Sequence, residues 1–155
     1  IGENGIDLDK IMQDRQKDLE KHKKFKFIHA DVRDYFFENC SLITSLFTLQ
    51  FMSKKDRLQV LKNVYNGLNP GGGFIFAEKI NCNSSLIQDM LTFNYYDFKS
   101  TNFTSEEIMK KEKQLRHMLK PNTWKEIKDH LIDAGFENFE RIWQNHMFIG
   151  VIAIK

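Results

Sequence analysis

The sequence predicts an α/β fold built on one sheet, parallel except at its last strand. Three observations point there. Helical and extended patterns alternate along most of the chain. An apolar run, "FIFAEK", follows a helix and the breaker "NPGGG" rather than preceding one. Only a hairpin-length gap after Asn145 separates the last two apolar-rich segments, so these should pair antiparallel.

Taken in order, "NGID" reads as the end of a strand, and "LDKIMQDRQKDLEKHKK" has helix composition, with Ile11, Met12, Arg15 and Leu19 near helical spacing. "FKFIHAD", Phe25 to Asp31, alternates in part and reads as a strand. "SLITSLFTLQF", Ser41 to Phe51, is apolar, β-branched and aromatic, which favours a buried strand. Ser53 then offers its hydroxyl to the first turn of a helix, with Asp56 three residues on. Leu58, Leu61, Val64, Tyr65 and Leu68 form its apolar stripe. Asn69-Pro70 should end it, because proline cannot continue a helix and restricts the residue before it.

A phosphate-binding loop has its glycines after a strand and before a helix. Here the order is reversed and no Gly-Lys-Ser/Thr follows. Gly71, Gly72 and Gly73 therefore read as a tight turn into a strand. Beyond Lys79, Leu86 to Phe98 reads as an apolar, aromatic helix. Ser105 to Leu119 reads as a charged one, capped by Ser105. "TWKEIKDHLIDAG" is a further helix with Thr123 as cap, Glu126 at the third position and Gly135 as stop. "FERIWQN" and "FIGVIAIK" close the sheet. The whole, residues 1–155, is expected to be a single domain with a helical insertion at about 84–120.

Composition narrows the function classes. The 155 residues are 41% hydrophobic and 28% charged, as in a globular chain, and 14 phenylalanines promise an aromatic core. A formal net charge of +2 does not by itself mark a nucleic-acid binder. Lys110, Lys111 and Lys113 stand beside Glu106, Glu107 and Glu112, which reads as a solvated helix face. Cys40 and Cys82 form no CxxC, which fits a reducing, cytoplasmic compartment. The histidines show no metal-binding spacing, and no apolar run is long enough to span a bilayer. "IGENGID" opens as if inside an element and without Met, so a first strand and its glycine-rich turn are expected upstream of Ile1.

The element order with a terminal antiparallel hairpin resembles the class I S-adenosylmethionine (SAM) methyltransferases, whose fold is Rossmann-like. "FTLQF" (47–51), "GLNPGG" (67–72), "EK" (78–79), "DFK" (97–99), "SEEI" (105–108) and "AGF" (134–136) then occur in the order found in the carboxy-SAM synthase family, and the likeness covers nearly all of the chain. The resemblance implies a SAM-binding transferase that converts SAM and prephenate to carboxy-SAM and phenylpyruvate, through a sulfonium ylide that captures carbon dioxide. A partner enzyme uses the product in tRNA wobble-uridine modification. It also implies a bound SAM, carboxy-SAM or S-adenosylhomocysteine, a homodimer, and no direct tRNA or membrane contact.

Carried over residue by residue, the resemblance gives Asp7, with Leu8 beside it, the ribose hydroxyls; a helix N-cap is the other reading of Asp7. Asp31 and Val32 would meet adenine, and a surface-turn carboxylate is the other reading of Asp31. Two positions depart from the family. Leu46 stands where the family has Asn, and it cannot make that polar contact. Glu112 stands where the family has the Arg that binds a carboxylate, a reversal that should repel the ligand. Arg116, one turn later, either replaces the missing charge or pairs with Glu112. A bound carboxylate calls for an Arg or Lys in this place. The departures keep open a scaffold or partner subunit that lacks this activity, and a SAM-dependent methyltransferase with another acceptor. Without its first strand and turn, the chain is expected to bind SAM or its demethylated product weakly or not at all.

Overall fold

The structure, a computed structural model, describes Lys26 and residues 28–155. The chain divides into two units, 1–34 and 35–155. In the first, the expected strand over Phe25 to Asp31 is not formed at Lys26 or at Ile28–Asp31, and Phe25 and Phe27 lie outside the described residues. A strand needs a partner for its N–H and C=O groups, and none pairs with this segment among the described residues. It leads instead into a turn closed by Asp34 N–H to Asp31 C=O at 3.0 Å. The strand end at "NGID" and the helix after it also lie outside the described residues.

The second unit holds β1 (Cys40–Leu46), a 3-10 turn (Leu49–Phe51), α1 (Lys54–Gly67), β2 (Leu68–Asn81), α2 (Ser85–Ser100), α3 (Ser105–Leu115), β3 (Asn122–Thr123), α4 (Trp124–Ala134), β4 (Asn138–Asn145) and β5 (Phe148–Ile154). The sheet order is β1-β2-β5-β4, with β3 beside the end of β2. β1 and β3 run parallel to β2, and β5 runs antiparallel to both β2 and β4. The expected last strand, antiparallel between two neighbours, is therefore present. A two-residue turn at His146 and Met147 sets its register.

Several boundaries move. The strand foreseen over Ser41 to Phe51 stops at Leu46, because Phe47 takes a left-handed φ of 56° and the chain tightens into a 3-10 turn. Ser53 does cap α1, its Oγ accepting from Asp56 N–H at 3.2 Å. That helix ends at Gly67, two residues short of Asn69-Pro70, and β2 begins at once. The glycines sit inside this long strand as an irregularity in its pairing: Cys40 faces Leu68, yet Leu42 faces Gly73. Gly71 makes it possible with φ 76°, and its N–H donates to Lys155 C=O at 2.8 Å. The cap of α3 is Thr104 rather than Ser105, with a reciprocal Thr104–Glu107 capping box, and the helix stops at Leu115 rather than Leu119. A threonine one position earlier leaves Glu107 at the third helical position, where its carboxylate reaches back to the cap N–H.

The core lies between one face of the sheet and α1 with α4. Phe74 and Phe76 on β2 stack with ring centroids 5.0 Å apart, and Phe136 stacks on Phe74 at 6.2 Å. Tyr65 of α1 meets Phe136 edge-on at 5.0 Å. Val60, Leu61, Val64, Ile127, Leu131, Ile149 and Val151 fill the rest. The stripe read from sequence omitted Val60, and it placed Leu58 and Tyr65, which are only half-buried. α4 carries both expected ends: a Thr123–Glu126 capping box, and a stop at Gly135 with φ 111°. There Phe136 N–H bonds Leu131 C=O and Gly135 N–H bonds Ile132 C=O, each at 3.0 Å, a Schellman closure.

A Cβ on Gly135 would sit 2.9 Å from Tyr65 Cε1, in a backbone region that side chains disfavour. Gly135→Ala should therefore lower the unfolding free energy by roughly 1–3 kcal/mol. Denaturant unfolding of the two proteins measures the difference, and equal midpoints would contradict it.

Candidate functional site

Ligands of open α/β sheets bind beyond the carboxyl ends of the parallel strands. Here that edge is built where β1 stops and β2 runs on. Phe47 N–H still bonds Ala77 C=O at 2.8 Å. Two residues further along β2, the Gln50 side chain takes over from β1, its Oε1 accepting from Lys79 N–H at 2.6 Å. Gln50 C=O accepts from Lys120 N–H at 2.8 Å. Then β3 pairs with Ile80 and Asn81.

Under this edge lies a buried charge. Arg57, 1% exposed, donates from Nε to Leu49 C=O at 3.1 Å and from Nη2 to Lys120 C=O at 2.7 Å and Met52 C=O at 3.4 Å. Glu78, also 1% exposed, stands near it. Burial pushes the Glu78 carboxyl up to about 7, against the pull of Arg57. Burial likewise lowers the Arg57 guanidinium, while Glu78 and Glu126 raise it. Asn122 is fully buried, and its Nδ2 meets His130 Nδ1 at 3.2 Å.

Above the edge lies a cationic and aromatic cluster. Lys99 of α2 forms an ion pair with Glu112 of α3 at 2.8 Å, both largely covered at 17% and 20% side-chain exposure. The Lys99 ammonium also sits 4.3 Å from the Tyr95 ring centre. Tyr95 meets Phe148 at 5.3 Å, and Phe148 meets Phe47 edge-on at 5.8 Å. Burial lowers the Lys79 ammonium, Glu112 raises it and Lys99 lowers it further, so these three charges feel one another. The Tyr96 phenol is raised by burial and then by Glu112, and lowered by Lys99 and Arg116. Lys79, Tyr96, Lys99, Glu112 and Arg116 thus form one electrostatic group. Against Lys99 opens a hollow of about 320 Å³, walled by Phe103, Ile108, Glu107 and Lys111. Its size suits a small molecule.

Arg116 caps the end of α3, and its N–H bonds Glu112 C=O at 3.0 Å. Its side chain is exposed, and among the described residues no ion pair joins it to Glu112. The carboxylate's partner is Lys99, which sequence reasoning quoted within "DFK" but did not place in the site. Lys79, within "EK", was missed in the same way. Leu46 ends β1 with 64% of its surface exposed. Asp31 is held by its neighbour: Oδ1 accepts from Arg33 N and Nε at 2.9 Å each, and Oδ2 accepts from Nε at 3.0 Å and from Nη2. Hydrogen bonds from Arg33, side chain before backbone, hold its carboxyl down at about 2. The surface-turn reading of Asp31 therefore describes its geometry. Val32 lies in the same turn, and Asp7 and Leu8 lie outside the described residues. Among the described residues no group of three or more His, Cys, Asp or Glu could hold a metal ion, and no helix is long and apolar enough to cross a membrane.

A family model described as a methyltransferase domain matches residues 4–72. A carboxy-S-adenosyl-L-methionine synthase of Staphylococcus epidermidis is 40% identical over 99% of this chain and 66% of its own length. The synthase of Shewanella sediminis is 40% identical over 81% of this chain and 52% of its own length. The chain thus spans between half and two thirds of these relatives. Human N-acetylserotonin methyltransferase, solved in complex with SAM, has the same fold, with a TM-score of 0.57 at 15% identity over 90% of this chain and 37% of that one. By the fold of its sheet and by these relatives, the chain belongs to the carboxy-S-adenosyl-L-methionine synthase family within the class I methyltransferase superfamily.

Proposed function

We propose that this protein is a SAM-binding transferase of the carboxy-SAM synthase type. It converts SAM and prephenate to carboxy-SAM and phenylpyruvate, and its product feeds tRNA wobble-uridine modification by a partner enzyme. The observation that carries the reading is the cationic group around Glu112. Lys79, Lys99 and Arg116 bring three positive charges to one negative charge at the strand edge where ligands of this fold bind. Substitution of the family's arginine by Glu112 therefore leaves a net positive site. Lys99, already desolvated, and Arg116, exposed at the helix end, are the groups we assign to the carboxylate.

Asp7 and Leu8 are assigned to the ribose, Asp31 and Val32 to adenine, and Leu46 to the cofactor-binding strand end. Three N–H donors of Arg33 contact the Asp31 carboxylate, Nε bridging both oxygens, so the adenine amino group must bind alongside them or displace one. We further assign a cytoplasmic homodimer that binds the small molecule and makes no direct contact with tRNA. Exposed Leu46 favours a second reading, a SAM-binding scaffold without this activity, because it removes a polar contact at the strand end.

Mass spectrometry of carboxy-SAM formed from SAM and prephenate decides between the two. Lys99→Ala should reduce product by about tenfold to a hundredfold, the worth of one charged hydrogen bond. Because that change also strands Glu112, the pair Lys99→Ala with Glu112→Ala is the control and should stay equally low. Recovery in the double variant would assign Lys99 to Glu112 alone. SAM binding by calorimetry without any product would favour the scaffold.

A titration tests Asp31. Its carboxyl pKa is depressed, so the Arg33 contact is complete above the ordinary value of 3.8 and is lost as pH falls through about 2. Carboxyl carbon shifts in NMR should show a midpoint near 2, which Arg33→Ala moves up towards 3.8. A midpoint unmoved by that change would show that Arg33 does not hold the group.

A further inference from the structure

Arg57 of α1 and Glu78 of β2 face one small cavity of about 10 Å³, whose remaining walls include Leu61, Phe76, Ile127 and His130. That is at the lower limit of the space that admits one water molecule, about 10–15 Å³. Two polar atoms on these wall residues have no partner among the described residues, and they are complementary: Arg57 Nη1 is a donor and Glu78 Oε1 an acceptor. Each would carry its full desolvation penalty if left unpaired, and buried polar groups in folded proteins are seldom left so.

We propose that this cavity binds one ordered water, which accepts from Arg57 Nη1 and donates to Glu78 Oε1. Through it, Glu78 acts as a positioning residue for the strand edge. The guanidinium is the link. Its Nε and Nη2 grip Leu49, Met52 and Lys120 carbonyls, which flank Gln50, and Gln50 in turn holds Lys79 N–H and accepts from Lys120 N–H. Turning Arg57 Nη1 away from its partner would rotate the planar fork and loosen both sides of Gln50. Water donation to the carboxylate also favours its charged form, opposing the upward push of burial. His130 adds a further polar group to the wall. Burial and then Arg57 lower its pKa, against Asp133 and Glu126, which favours the neutral ring. This inference stands on the fold and does not depend on the proposed activity.

A crystal structure of the unmodified chain, at a resolution that shows ordered water, is the first test. A density peak within hydrogen-bond distance of both Arg57 Nη1 and Glu78 Oε1 is expected. A dry cavity, or a direct Arg57–Glu78 ion pair without water, overturns the site. The second test is amide hydrogen exchange. Glu78→Leu removes the acceptor and should speed exchange at Lys79 and Lys120 N–H by about tenfold to a hundredfold relative to Phe74 and Val151, which report the core. Glu78→Gln keeps an acceptor and should leave both rates unchanged. Equal acceleration at all four amides in Glu78→Leu, or none, overturns the positioning role. If Glu78→Leu does not fold, Arg57→Lys replaces it: the single ammonium cannot serve all of those acceptors, and the same selective acceleration is expected.

Discussion

The guanidinium of Arg57 is the contact on which the edge of this sheet depends. The 3-10 turn, the residue that follows it and the segment leading into β3 all present backbone carbonyls to it, so one side chain fixes the segment whose Gln50 replaces the ladder that β1 no longer supplies. Its burial makes the arrangement all-or-nothing. A buried charge that loses a partner is left uncompensated, at a cost of roughly 3–5 kcal/mol in comparable pairs. The same charge explains why a glutamate is tolerated inside the aromatic core. Glu78 lies on the face of β2 that Phe74, Phe76 and Ile80 share, where an apolar residue would be the default.

The cationic cluster on the other side of the edge changes the meaning of Glu112. Read along the chain, a carboxylate in place of an arginine looks like the loss of a binding group. In the fold, Glu112 is neutralised by Lys99, thirteen residues earlier and on another helix, and both are well covered. Two half-buried charges that neutralise each other cost less than either alone, and the pair leaves Arg116 without a competing carboxylate partner among the described residues. With Glu112 present, the cluster therefore still holds more positive than negative charge.

What the sequence made legible was what depends on neighbours in the chain. The ends of α4 were readable because Thr123, Glu126 and Gly135 act within one turn of themselves. The hairpin was readable because two residues cannot join strands any other way. Arg57 was not readable. A charged residue one position before Leu58 belongs, by pattern, to a solvated face, and only contacts with Leu49 and Lys120 reveal it as interior. Lys99 was hidden for the same reason: its partner is on another helix. The strand over Ser41–Phe51 was overextended because apolar, β-branched composition continues past Leu46, while the feature that ends it is a single backbone angle at Phe47.

The backbone angle at Phe47 also shapes the site. A phenylalanine at φ 56° is uncommon, and such strain persists only where surrounding contacts hold it. Here they are visible: Phe47 N–H is anchored on Ala77 C=O, and its ring lies edge-on to Phe148. The turn that results swings the chain off the sheet just after Leu46 and brings it back as the 3-10 turn, which places Gln50 beside Lys79. With an ordinary extended residue at 47, β1 would continue along β2, and Lys79 N–H would be taken by backbone rather than by the Gln50 side chain. The strained residue, the side-chain substitute and the buried arginine are thus three parts of one device, which ends β1 early and gives Lys79 N–H to a side chain in place of a neighbouring strand.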